Sequence, residues 1–434
     1  MSAVDHAWLE MDEPNNPMIV SAVLELEDVR APKRLIGVLL DRLLHHPRFR
    51  QRADTTHLPA AWVDDGELHL GYHLRLDRRA HLADDERLAA LIGEELAHPL
   101  DRALPLWRIT LYPRGHHRLA VLFRAHHAIA DGVAQLRLLL QLTDEGARKL
   151  HTREVPTPEK HHGPLGPMVD FLEAANLGLE RFNVGVREQL RHPRRLIRQA
   201  RTGLDLARAA GRVLLAAREA PECFSRPLSG RRQVAWLRDI SLDRVRHFAQ
   251  AQQVTINDVF LAALGGAFGQ VLRADGLKLS VDVDISVSIP VNLRRDDADV
   301  VGNSFGLVLC KLPVGETFWP RRLASVSRRM LALKHSPEAR AVLAGLEAVG
   351  HLPPAAEKRI VNWLGDKACA VVSNLPGPAR ALHLDGARLA DVVFWPPQTS
   401  HIGIGIGLLS YAGTLSLGVS ADTAQLPRPQ DLAA

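Results

Sequence analysis

The sequence predicts a mixed α/β (α+β) protein of two similar domains, each a sheet with helices packed on it. Three observations carry this. The chain has 434 residues, 46% hydrophobic and 24% charged, enough apolar material for about two cores. Strand-like and helix-like apolar periodicities are mixed in both halves. No stretch approaches the ~20 apolar residues that span a bilayer, and no fixed-period repeat suggests a solenoid.

Met18 to Leu26 reads as a strand, followed by a helix with Leu35, Val38, Leu39 and Leu43 among its apolar positions. Glu67 to Leu76 alternates His69, Gly71, His73 and Arg75 against Leu68, Leu70, Tyr72, Leu74 and Leu76, a second strand pattern. A helix from about Asp84 to His98 stops before Pro99. Trp107–Tyr112 and His117–Arg124 form a hairpin joined by Pro113-Arg-Gly-His, and a helix from about Val133 to Leu142 follows. The charged, proline-bearing segment Glu145 to Lys160 reads as the exit from a first domain over 1–150. A basic linker, 151–222, carries helical spacing at Leu206, Ala210, Val213 and Ala217 and is broken by Pro193, which predicts two helices. The second domain, 223–434, opens near Pro227-Leu-Ser-Gly. It is predicted to hold a helix over Asn257–Arg273, strands near Leu279–Val291 and Leu307–Leu312, and a C-terminal pair, Ile402–Leu409 and Thr414–Val419.

Composition narrows the function. Cys223, Cys310 and Cys369 are far apart and lack metal-ligand spacing, which argues against disulfides and structural zinc and fits a reducing compartment. The N-terminus has no basic segment leading into an apolar one, so a cytoplasmic protein is expected. The formal charge of +5 does not point to nucleic acid, because aromatics that would stack on bases are only 5%. Basic charge concentrates at 181–218, where ten arginines accompany only Glu188 and Asp205. That run is either a solvated helical face or a surface for anionic phospholipid at the inner membrane face or lipid inclusions.

The clearest chemical signal is His126-His127-Ala-Ile-Ala-Asp131-Gly132. A histidine closing a strand, with an aspartate to fix the loop and Gly132 to let the chain turn into a helix, suits a general base. The same residues also fit two ordinary turn histidines with Asp131 capping the next helix, and spacing alone leaves both open. A metal site is disfavoured, since adjacent histidines do not easily converge on one ion.

The segment matches the HHxxxDG motif of the coenzyme-A-dependent acyltransferase superfamily. The chain resembles the bacterial wax ester synthase/diacylglycerol acyltransferase family nearly end to end. The resemblance runs through Asp5-His-Ala-Trp-Leu9, Met18, Leu100-Asp-Arg, Pro105-Leu-Trp107, Pro227-Leu-Ser-Gly-Arg-Arg232 and Thr255-Ile-Asn-Asp-Val259. It continues through Pro290-Val-Asn-Leu-Arg294, Gly302-Asn-Ser-Phe-Gly306, Ser373-Asn-Leu-Pro-Gly-Pro378, Ser410-Tyr-Ala-Gly413 and Ala421-Asp422. HHxxxDG alone is shared with chloramphenicol acetyltransferases and peptide-synthetase condensation domains; the ordered set is far more specific.

The resemblance implies two chloramphenicol-acetyltransferase-like domains with the active site between them. It also implies transfer of a long-chain acyl group from acyl-CoA, as substrate, to a fatty alcohol or diacylglycerol, with no cofactor. His127 is then the general base, without an acyl-enzyme; His126 shapes the pocket or bonds locally, Asp131 orients the turn, and Gly132 borders the substrate. Arg294 is the candidate partner of a buried Asp131, and Asn303 or Ser304 would donate to the developing oxyanion, unless Gly302 and Gly306 merely bound a turn. Gly302–Gly306 also satisfies GxSxG, but a polar turn before it and a strand-like run after it do not fit a hydrolase nucleophile elbow. Asn257 and Asp258 read first as support: Thr255 or Asn257 caps the helix that follows, and Asp258 sits in its positive first turn. Gly403, Gly405 and Gly407 depart from the Leu-Asn-Ile type of segment expected in this family. Their bare strand face leaves room for a lipid chain or an opposing backbone. A carrier-protein-dependent condensation enzyme and an inactive scaffold of the same fold are the competing classes.

Overall fold

The computed structural model describes residues 1–56, 60–80, 84–115, 117–150, 221–292, 305–334 and 367–433. Most of the basic linker 151–222, and the candidate residues Arg294, Asn303 and Ser304, lie outside them.

In chain order the strands are β1 (Ile19–Glu27), β2 (Gln51–Asp54), β3 (Ala61–Asp64), β4 (Leu74–Leu76), β5 (Trp107–Pro113) and β6 (Leu119–His126) in the first half. The second half supplies β7 (Arg232–Ser241), β8 (Asp284–Asn292), β9 (Phe305–Pro313), β10 (Ala370–Pro376), β11 (His383–Leu384), β12 (Ala387–Trp395), β13 (Ile404–Tyr411) and β14 (Thr414–Asp422). Two mixed six-stranded sheets result, ordered β11-β12-β1-β6-β5-β4 and β7-β14-β13-β10-β8-β9, while β2 and β3 pair separately.

One sheet therefore takes strands from both halves. Residues 383–395, inside the span expected to be a self-contained C-terminal domain, pair instead with β1, in the register Ser21↔Trp395 and Val23↔Val393. Beyond Trp395 the chain passes over the second sheet. Alternation along β13 and β14 sends Ile404, Ile406, Leu408, Leu415, Leu417 and Val419 into the second core, against the Ile256–Ala274 and Trp319–Lys334 helices. The reverse face carries Gly405, Gly407 and Gly418. A Cβ on Gly407 would lie 2.5 Å from the Phe394 carbonyl oxygen, and one on Gly418 2.6 Å from the same atom. Of the two occupants that the bare face admits, an opposing backbone fills it over Gly407 and Gly418, while the Gln398 side chain lies nearest Gly405 and the Gln425 and Leu228 side chains nearest Gly403.

The first sheet is covered on both faces. Leu24, Leu26, Val121 and Phe123 face the Pro32–Leu44 and Gly132–Gln141 helices, whereas Val23, Tyr112, Ala120 and Leu122 face the Asp85–Leu96 helix. Arg238 of β7 bridges the two sheets, at 3.2 Å from Glu25, 3.3 Å from Asp85 and 2.9 Å from Asp391. Arg114 also reaches Glu25, at 3.0 Å.

Two sequence expectations change. Glu67–Leu76 is not one strand: Leu70–His73 is a helical turn and only Leu74–Leu76 joins the sheet. Alternation misleads there because the histidine goes inside. His73 is fully buried, stacked 4.4 Å from Trp107 with Nδ1 2.9 Å from the Trp107 carbonyl oxygen, while Leu70 is half exposed. The expected domain exit begins with a helix, Asp144–Leu150. Asp144 accepts the Asp385 and Gly386 N–H groups and pairs with Arg42 at 2.8 Å, so this helix docks the β11–β12 turn.

Gly407→Ala should displace the crossing strand and destabilise the protein by about 1–3 kcal/mol, the range for overpacking a dense core. Thermal unfolding checks this; a midpoint equal to wild type would show that β12 is not tightly seated.

Candidate active site

The site is built from the end of β6. Leu119, Val121, Phe123 and Ala125 point to the face of the sheet that carries the Gly132–Gln141 helix. Period-two alternation continued past Ala125 brings residue 127 to that same face and sends residue 126 to the other. The His126 N–H donates to the Leu106 carbonyl at 2.9 Å and the His127 N–H to the Met18 carbonyl at 2.8 Å, so β1 and the Pro105-Leu-Trp107 segment hold both residues. The chain then turns, with the Ile129 N–H bonded to the His126 carbonyl at 3.0 Å.

His127 opens into a cavity of about 350 Å³ between the two sheets. Met18, Val20, Trp8 and the Leu136, Arg137 and Leu140 side of the helix border it from the first half. Ser288 and Pro290 of β8 and Val371 and Ser373 to Pro376 of β10 border it from the second, and Phe394 and Pro396 of the crossing segment complete the wall. The lining is largely apolar, with Ser288 and Ser373 bordering it from neighbouring parallel strands in the register Val371↔Ser288. Trp8 lies against the imidazole of His127, ring centroids 4.3 Å apart.

His126 is buried on the far side. Its Nδ1 accepts the Ala128 N–H at 3.0 Å, which leaves the ring proton of neutral imidazole on Nε2, 3.6 Å from Asp12 Oδ1. Burial alone would raise the Asp12 carboxyl. The His126 imidazole, the Met18 N–H and the Arg102 charge together outweigh it and hold Asp12 below its ordinary value.

Asp131 is buried, borders the cavity and caps the Gly132–Gln141 helix, its Oδ1 accepting the Ala134 N–H at 2.9 Å. The capping alternative thus describes Asp131's geometry, and the same residue lies at the cavity wall. Gly132 has no left-handed backbone and is not needed for a sharp turn. Its missing side chain keeps the cavity clear, since an added Cβ would meet nothing nearer than Leu375 Cδ1 at 4.0 Å. Thr255 caps the Ile256–Ala274 helix in a reciprocal box with Asp258, at 3.1 and 2.9 Å. Asn257 accepts from the Asn374 amide at 3.3 Å, one residue removed from the cavity. After the GxSxG segment comes strand β9, not the helix that a nucleophile elbow requires.

Reading by motif missed Asp12, Ser288 and the crossing segment with Phe394. Asp12 sits just past Asp5-His-Ala-Trp-Leu9, where a carboxylate before two prolines carries no signature of its own. Ser288 lies in a strand pattern that reads as plain alternation.

Comparison with known proteins places this geometry in a family. Residues 1–260 match the wax ester synthase/diacylglycerol acyltransferase catalytic domain and residues 301–434 the corresponding C-terminal domain. A Mycobacterium tuberculosis protein described as a diacylglycerol O-acyltransferase is 31% identical over 430 residues, covering 90% of this chain and 79% of its own. The wax ester synthase/diacylglycerol acyltransferase of Marinobacter aquaeolei VT8 superposes with a TM-score of 0.66 at 20% identity, covering 99% of this chain and 94% of that one. The first condensation domain of the CDA synthetase superposes at 0.60 with 18% identity, over 100% and 92%, and shares the fold. The chain belongs to the wax ester synthase/diacylglycerol acyltransferase family and is an acyltransferase.

Gly132→Ala should keep activity within about twofold, because the added methyl makes only ordinary contact, whereas Gly132→Leu should fill the cavity and cut activity at least tenfold. Steady-state rates with both variants folded check this; equal rates for Leu and wild type would show that the space beside Gly132 is not used.

Proposed function

We propose that this member of the family transfers a long-chain acyl group from acyl-CoA to the hydroxyl of a fatty alcohol or diacylglycerol, with His127 as general base. The observation that carries the reading is the histidine's placement. It is the residue of the HHxxxDG pair that borders a largely apolar cavity walled by both sheets, beside a helix whose Leu136 and Leu140 suit a hydrocarbon chain.

In this reading the imidazole takes the proton of the acceptor hydroxyl as its oxygen attacks the thioester carbonyl. The tetrahedral oxyanion collapses, the carbon–sulfur bond breaks, and the imidazolium returns the proton to the departing CoA thiolate. Hydroxyl donors in a water-poor cavity stabilise the oxyanion most effectively, and Ser288 and Ser373 are candidates among the described residues that border it. No covalent acyl-enzyme is needed. Asp131 and His126 hold the turn rather than exchange protons.

Purified protein incubated with palmitoyl-CoA and a panel of fatty alcohols and diacylglycerol should form ester, while His127→Ala should lose about 10²–10⁴-fold in kcat with its fold intact. Ester formation by a folded His127→Ala protein would reject the base; release of free fatty acid alone would indicate a hydrolase, and activity only with a carrier-bound acyl group a condensation-type enzyme.

The acceptors are poorly soluble in water, and the ten arginines of 181–218 have the charge to draw the enzyme to an anionic lipid surface. Among the described residues no single helix is long and apolar enough to cross a membrane, so the association proposed is peripheral. In flotation, vesicles containing anionic phospholipid should carry the protein up, and replacing the arginines by glutamine should abolish this; equal flotation of both would discard the role.

A further inference from the structure

We infer that Asp12 is a positioning residue for the reaction, setting the backbone on both sides of His127 without touching substrate. The inference rests on the reading of His127 as the base. Asp12 lies just beyond the Ala3–Glu10 helix, a partly buried residue whose side chain is 8% exposed, and does not border the cavity. Its Oδ1 accepts the Met18 N–H at 2.7 Å, and the carbonyl of that same Met18 accepts the His127 N–H at 2.8 Å. Its other arm is His126, whose Nε2 stands 3.6 Å from Oδ1 and whose Nδ1 accepts the Ala128 N–H. The carboxylate therefore reaches residue 127 by a hydrogen bond through Met18 and faces, at 3.6 Å, the imidazole that accepts the Ala128 N–H.

Taking a carboxylate out of water is costly unless donors face it, and here the donors are the Met18 N–H and the Arg102 guanidinium 3.4 Å from Oδ2, with His126 Nε2 close by at 3.6 Å, beyond hydrogen-bond distance. Arg102 also donates to the Leu9 carbonyl, which ties the end of the first helix to the same point. That helix carries Trp8, the ring against His127. One acidic side chain thus joins the aromatic wall, the strand and the turn of the base. An asparagine would keep the volume but turn an NH₂ toward His126 or Arg102, so one donor would face another.

The test compares Asp12→Asn, His126→Ala and their combination with His127→Ala in the full-length protein, reading kcat, KM for both substrates and the unfolding midpoint. Asp12→Asn should lower kcat ten- to a hundredfold with both KM values within twofold, because substrate contacts are untouched. The double variant should be no slower than the slower single variant, since both act along one path. An active His127→Ala protein would overturn the base itself. An inactive His127→Ala beside an Asp12→Asn enzyme of normal kcat, or penalties that multiply in the double variant, would overturn the positioning role alone. Should Asp12→Asn fail to fold, folded His126→Ala carries the test: normal kcat there overturns the inference.

Discussion

The structure depends on the close approach of the β12 strand to the glycine face of the second sheet. β12 hydrogen-bonds to β1 as a member of the first sheet, and through Phe394 it lies on the second at distances that exclude a Cβ. Without that double membership the two sheets would be joined only by side-chain contacts such as those of Arg238 and Arg232. With it, the end of β6 and the ends of β8 and β10 are held facing each other, and the space left between them is the cavity. The bare face spends side-chain packing to obtain backbone proximity, which is the usual meaning of glycine inside a strand. Arg238 reinforces the same junction from the edge of the second sheet by reaching Glu25 and Asp391 of the first sheet and Asp85 of the helix packed on it.

A second junction uses buried arginine. Arg232 donates to Asn16 and Gln398, and Asn16 donates onward to the Ser400 and Ile402 carbonyls at 2.7 and 3.1 Å. Burial pushes the Arg232 guanidinium down to about 10, which still leaves it protonated at neutral pH. A buried cation tolerates such a place only if its donors are met, and neutral amide oxygens meet them here. Next to it, Asp422 accepts the Ser229 and Gly230 N–H groups and fastens the turn that leads into β7. Both ends of the second half are thereby pinned to the segment leading into β1.

These contacts explain which parts of the sequence were legible. The alternating runs of β1, β5 and β6 and the capped Asp85–Leu96 and Ile256–Ala274 helices announce themselves, because local periodicity and caps decide them. The Pro105-Leu-Trp107, Leu100-Asp-Arg and Pro227-to-Arg232 segments stand out as motifs, yet their partners are invisible along the chain. Leu106 receives His126, Arg102 meets Asp12, and Arg232 meets Asn16 across 216 positions. His73 shows the opposite failure, a polar residue that alternation assigns to solvent but that stacking on Trp107 draws inside. The hairpin β11–β12 was not legible as part of the first sheet, since nothing in a strand's own residues tells which sheet it will join.

The same geometry accounts for a pair of histidines where one base would do the chemistry. Consecutive residues at the end of a strand face opposite sides of the sheet, so two adjacent imidazoles cannot share one site. His127 receives the cavity, and His126 receives the buried flank with Asp12 and Arg102. A base must be mobile enough to exchange a proton yet fixed to within a fraction of an ångström of its target. In the proposed reading the tasks are split: His126 fixes the turn through Nδ1, which accepts the Ala128 N–H, and His127 borders the cavity where the acceptor hydroxyl would lie. An aliphatic residue at 126 could fill the same volume, but it could neither accept the Ala128 N–H nor face the Asp12 carboxylate. The turn would then lose the Ala128 N–H contact, leaving the Leu106 and Met18 carbonyls to hold residues 126 and 127.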